Sequence, residues 1–100
     1  MKRMTTFAAA ALATAFASAV PAGAADAPPG ASSCSGCHAT GRWVGSPVPR
    51  LIGRDAAEVV AAMQQFRSGQ RPATVMDRIA KGFTDEEVTA IAAWYAAQKD

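Results

Sequence analysis

Residues Cys34-Ser35-Gly36-Cys37-His38 fit the pattern C-x-x-C-H. Few short patterns restrict a chain as tightly. On a turn of helix this spacing brings two thiols together with an imidazole directly behind them. That arrangement attaches a haem: thioethers form with its two vinyl groups, and the adjacent His reaches the iron. Three other readings each lack something. A thioredoxin-like pair needs a βαβ setting, which the chain does not offer. A zinc site needs further ligands, yet His38 is the only His and no third Cys exists, so carboxylates would have to close it. A disulfide across two intervening residues would be strained and would close a loop too small to stabilise much. The expectation is one covalent haem c on Cys34 and Cys37, with His38 on the iron.

The compartment is consistent with this. Lys2 and Arg3 precede an apolar, Ala-rich run from Phe7 to Val20, and Ala22-Gly23-Ala24 fits a small-x-small cleavage site. The run is 14 residues long, short of the ~20 that span a bilayer as a helix. An uncleaved anchor is the alternative. Residues 1–24 thus read as a signal peptide that directs the chain to the periplasm, with cleavage after Ala24 and with Ala22 or Ala25 as other sites. Residues 25–100 form one domain, with no membrane span left after cleavage. Removing Lys2 and Arg3 lowers Lys plus Arg from ten to eight, against eight Asp plus Glu. The mature chain is therefore close to neutral and offers no basic stripe for nucleic acid. At 76 residues its own core is marginal and needs reinforcement.

The rest of the domain reads as helix and loop. Pro28-Pro29-Gly30 precedes a short helix running into the cysteines. Gly41 to Gly53 is loop. Asp55 caps a helix, with Glu58 three residues on and Val59, Met63 and Phe66 on one face, and Ser68-Gly69 ends it. Thr74 to Lys81 is expected to make about two turns, stopped by Gly82 in a left-handed cap. Thr84 with Glu87 forms a second capping box, and Val88, Ile91, Ala92 and Tyr95 mark the buried stripe of the last helix. No period-2 run is long enough for a strand, so the fold class is all-α.

With these motifs in order, the chain resembles the class I c-type cytochromes over nearly its whole mature length. C-x-x-C-H is followed by Pro49-Arg50-Leu51-Ile52-Gly53, then Met76, then Trp94-Tyr95. The resemblance implies a small cytochrome c fold wrapped around one covalent haem. It also implies that the Pro49 carbonyl accepts a hydrogen bond from the axial His38, fixing the tautomer that binds iron. Met63 sits at helical spacing with Val59 and Phe66, which packing explains. Met76 lies outside the two long helices, in the segment where the family carries its second axial ligand, so Met76 is the expected partner of His38. A Met/His pair raises the reduction potential. Phe66, Phe83, Trp94 and Tyr95 are expected to wall the haem, and Trp43 to edge its crevice or anchor a loop. Arg42, Arg50, Arg54, Arg67, Arg71 and Arg78 could supply a propionate partner, each with a solvated surface charge as its default. The family's N-terminal helix crosses its C-terminal helix; only ten residues, 25 to 34, are available for it here.

A denser local resemblance covers Phe66 to Phe83. Phe66-Arg67-Ser68-Gly69 and Met76-Asp77-Arg78-Ile79-Ala80-Lys81-Gly82-Phe83 are similar to the cytochrome subunit of flavocytochrome c sulfide dehydrogenase. This implies an electron-transfer protein, not an enzyme in itself, that accepts electrons from an FAD-containing sulfide dehydrogenase subunit and passes them to other redox proteins. With one C-x-x-C-H it would be a one-haem form. A free periplasmic carrier between respiratory complexes is the alternative. A haem enzyme or ligand sensor would need an open iron position, which Met76 would close.

Overall fold

The computed structural model describes residues 9–17, 26–41 and 45–99. Residues 9–17 have no regular structure, and Leu12 and Phe16 within them are exposed. Lys2, Arg3, the cleavage region, Arg42 and Trp43 lie outside the described residues. The domain has four helices in the order α1 (Ala31–Cys34), α2 (Ala56–Ser68), α3 (Met76–Ile79) and α4 (Asp85–Ala97), with a 3₁₀ turn at Ala80–Gly82 continuing α3. The fold is all-α: no strand occurs among the described residues.

Local chemistry accounts for the helix ends. The Asp55 carboxylate accepts from Glu58 N at 3.0 Å and starts α2. Gly69 ends it at φ 79°, where a side chain would be strained. Thr84 and Glu87 form a reciprocal capping box at the start of α4, and Asp85, Glu86 and Glu87 meet the positive end of its dipole.

Two expectations need correcting. The third helix begins at Met76, not Thr74, and Gly82 is not in the left-handed region. The chain tightens from α-helix into the 3₁₀ turn at Ala80–Gly82 and leaves through an extended Phe83, so no left-handed stop is required.

The side-chain core is small. Among the described residues Ala31, Ala80, Val88, Ile91, Ala92 and Tyr95 are buried. Half of them are alanines, and Val88 and Ile91 contribute roughly 1.5–3 kcal/mol each. Ordering the backbone costs about 1–2 kcal/mol per residue, so other interactions must contribute to folding. The α1–α4 junction is built from small residues. Tyr95 donates its hydroxyl to Ala31 O at 2.6 Å. Gly30, at φ 86°, lets Phe83 lie so close that a Cβ there would sit 2.8 Å from Phe83 Cε1. The helix α2 buries no residue fully. Its apolar face turns instead to an internal cavity.

Candidate functional site

The cavity has a volume of about 990 Å³. One wall is the turn carrying Cys34, Cys37 and His38. Val59, Ala62, Met63 and Phe66 of α2 form another, and the Met76 segment and the Val88–Ile91 stretch of α4 complete it.

The motif holds its shape through backbone bonds. Cys37 N and His38 N both donate to Cys34 O, at 3.2 and 2.9 Å, so the chain winds tightly past the end of α1. Ser33 Oγ donates to Gly30 O at 2.6 Å and Ser35 Oγ to Ser32 O at 2.7 Å, tightening the same turn. Both thiols and the imidazole therefore border one cavity. Cys34 is half-buried and Cys37 exposed, and neither is in a disulfide. Burial pushes the Cys34 thiol above its ordinary range, against a smaller opposing effect of hydrogen bonding. Among the described residues no three His, Cys, Asp or Glu side chains cluster as metal ligands.

The Pro49 loop sits where it can orient the imidazole. His38 Nδ1 lies 2.6 Å from Pro49 O. A carbonyl oxygen only accepts, so the proton is on Nδ1 and the lone pair on Nε2. The loop is held in turn by Gly53 N donating to Tyr95 O at 3.1 Å, with Gly53 at φ 74°. Leu51 lines the cavity and packs, with Ile52, against the Ala31–Ile91–Tyr95 cluster.

Both Met63 and Met76 line the cavity. Helical periodicity placed Met63 correctly beside Val59 and Phe66. That face borders the cavity, which the sequence does not distinguish from packing against a neighbouring helix. Phe66 and Phe83 also line it, whereas Trp94 and Tyr95 are not among its lining residues. They lie one turn beyond Ile91 on α4, where α1 and the 51–53 loop cover that helix. Trp94 meets Tyr95 edge-on, with ring centroids 4.9 Å apart. Val75 and Ile79, which no sequence motif marks as site residues, join the lining. Among the arginines, Arg54 and Arg71 reach the cavity. Arg71 also donates to Gln65 Oε1 at 3.0 Å and lies over the Phe66 ring.

The residues fit a covalent haem in two respects. The cavity brings the Cys34 and Cys37 thiols together with the His38 imidazole and two thioethers, groups of the kinds that attach and ligate a haem. It is also lined by the apolar α2 side chains Val59, Met63 and Phe66. Comparison with known proteins agrees. The chain is 40% identical over 63 residues to the cytochrome subunit of sulfide dehydrogenase from Chlorobaculum tepidum, covering 63% of this chain and 57% of that protein. It is 38% identical over 84 residues to a thiosulfate dehydrogenase electron acceptor from Thiomonas intermedia, covering 81% and 38% respectively. The chain thus spans only part of those two relatives. No family model matches, and no solved structure matches. Cytochrome c-554(548) of Halomonas halodenitrificans is 34% identical over 70 residues, 66% of this chain and 84% of that protein. With most of a whole cytochrome matched, and the attachment motif opening onto a cavity of this kind, the chain belongs to the c-type cytochromes.

Proposed function

We propose that this chain carries electrons singly through one haem c, bound covalently by Cys34 and Cys37, with His38 and Met76 as axial iron ligands and no catalytic group of its own. The observation that carries this reading is the cavity: two thiols, an imidazole and the Met76 thioether on its wall, with the apolar α2 residues Val59, Met63 and Phe66 beside them. When bound, the haem supplies a one-electron iron couple. Pro49 orients His38 by accepting a hydrogen bond from its Nδ1–H, leaving Nε2 as the ligand atom. Met76 is favoured over Met63 because it opens a short helix outside the two long ones, at the place in the order of motifs where the family carries this ligand.

The electron donor in this reading is an FAD-containing sulfide dehydrogenase subunit, and other redox proteins are the acceptors. The Phe66–Phe83 stretch and the similarity to the Chlorobaculum tepidum cytochrome subunit support it. The site of action is the periplasm, with residues 1–24 as the export signal and 25–100 as the cytochrome domain. Among the described residues no helix is long and apolar enough to cross a membrane. A freely diffusing carrier is the second reading, favoured by the similarity to a thiosulfate dehydrogenase electron acceptor.

One experiment separates them. The native protein is isolated without tags and sulfide is added. A co-purifying flavoprotein, with haem reduction faster in the complex than in the cytochrome alone, is the expected result. If the cytochrome purifies alone and the organism's sulfide-oxidising flavoprotein does not speed its reduction, the carrier reading replaces the subunit reading.

A further inference from the structure

The segment 70–83, which contains Met76, is fastened at both ends to one turn of α2. At its start Gln65 O accepts from Gln70 N at 2.9 Å and Arg71 N at 3.2 Å, and Gln65 Oε1 accepts from Arg71 Nε at 3.0 Å. At its end Arg67 Nη2 donates to Phe83 O at 2.9 Å, and Arg67 Nη1 pairs with Asp85 Oδ1 at 2.6 Å. Arg67 itself is not among the residues lining the cavity. We propose that Arg67 is a positioning residue that holds Met76 at the cavity by closing a strap whose two ends converge on residues 65–67 of α2. This inference rests on the reading of Met76 as the iron ligand.

The strap also packs along α2, but few of its side chains are buried there. Val75 is 49% exposed and Ile79 39% exposed, and Ala80 is the one fully buried side chain between Gln70 and Phe83. The start of the strap is held through Gln65. The end relies on Phe83 and on the first turn of α4, and Arg67 bridges those two to α2. Its two arms are unequal. The Asp85 side chain is 71% exposed, so that ion pair is screened and weak. The Phe83 carbonyl is part-buried, and a charge-assisted bond to it is stronger. The guanidinium fork is what allows both contacts at once; a lysine ammonium is a single point and cannot reproduce it. A loosened end lets the thioether leave the iron more often, without any change in the helices.

The test compares holoprotein carrying Arg67→Lys, Arg67→Gln and Asp85→Asn with wild type and with Met76→Ala. Imidazole is titrated into the oxidised form, where it competes with the sixth ligand, and the thioether-to-iron absorbance is followed beside helical ellipticity. Loss of one charge-assisted bond corresponds to roughly tenfold tighter apparent imidazole binding in the Arg67 variants. Asp85→Asn should shift it at most about fivefold, as an exposed pair predicts. Ellipticity should match wild type throughout. Wild-type imidazole affinity in a folded Arg67 variant overturns the proposal, and so does a thioether absorbance that is lost only together with ellipticity as denaturant is raised. Should Arg67→Lys fail to fold, Arg67→Gln, which keeps an N–H donor, carries the same comparison. Thioether absorbance that survives in Met76→Ala defeats the ligand reading instead, a result distinct from failure of the clasp.

Discussion

Two thioethers border the cavity, and only substitution separates their roles. Met76→Ala should open the iron, lower the reduction potential and let carbon monoxide bind the reduced protein readily. Met63→Leu conserves volume and should cost under ~1.5 kcal/mol with ligation intact. Reversal of the two spectra would exchange the assignments. Tyr95 is the other residue with a defined prediction. Its hydroxyl is buried and donates to Ala31 O. Its pKa is raised above the ordinary value of 10, first by burial and then by a neighbouring Cys34 thiolate. A thioether at Cys34 removes the second cause and leaves the first. A raised folded-state pKa favours the protonated form, so this contribution is complete below the unfolded value and is lost as pH rises through the folded one. Denaturation midpoints should therefore fall only above about pH 10. Tyr95→Phe should remove that part of the alkaline decline and cost about 1 kcal/mol at neutral pH.

At the scale of elements, the short α1 meets α4 through Gly30, Ala31 and Tyr95 rather than by a long helix crossing. The helix α1 begins only at Ala31, and the small residues at 30 and 31 make the close approach possible. Gly30→Ala adds a methyl group 2.8 Å from Phe83 Cε1 at a backbone φ of 86°. It should destabilise the protein by about 1–3 kcal/mol, read as a lower thermal midpoint. Gly69→Ala meets no neighbouring atom within 4 Å, so only its φ of 79° is strained and the loss should be smaller. Comparing the two separates crowding from backbone strain. Capping pairs made the starts of α2 and α4 legible in the sequence. The Met76 segment was less so, because its short helix and 3₁₀ turn leave no full period to read and its end is set by contacts with α2.

At the scale of the whole molecule, few of the described residues are buried, and Val59, Met63 and Phe66 of α2 line the cavity. Folding and haem attachment should therefore be coupled. Expression without a haem-attachment system should give low ellipticity and no cooperative melt. Expression with one should add the mass of a single haem that survives acid-acetone extraction. Complete extraction would remove the thioethers from the account.

The sequence by itself determined the attachment motif, the all-α class, both capping pairs and the stripe Val88, Ile91, Ala92 and Tyr95, because each depends on neighbours within a turn or two. It also implied, through family resemblance, that Pro49 faces His38, and the structure places the Pro49 oxygen 2.6 Å from Nδ1. Only the tertiary structure decided what each apolar face packs against. Periodicity shows that Met63 and Phe66 point to one side, not whether a helix or a cavity lies there. The same holds for Trp94 and Tyr95, which share a helix with the cavity-lining Ile91 yet lie beyond the cavity. It holds most of all for Arg67, whose contacts at Phe83 and Asp85 are 16 and 18 residues away and exist only because the strap between them folds back on α2.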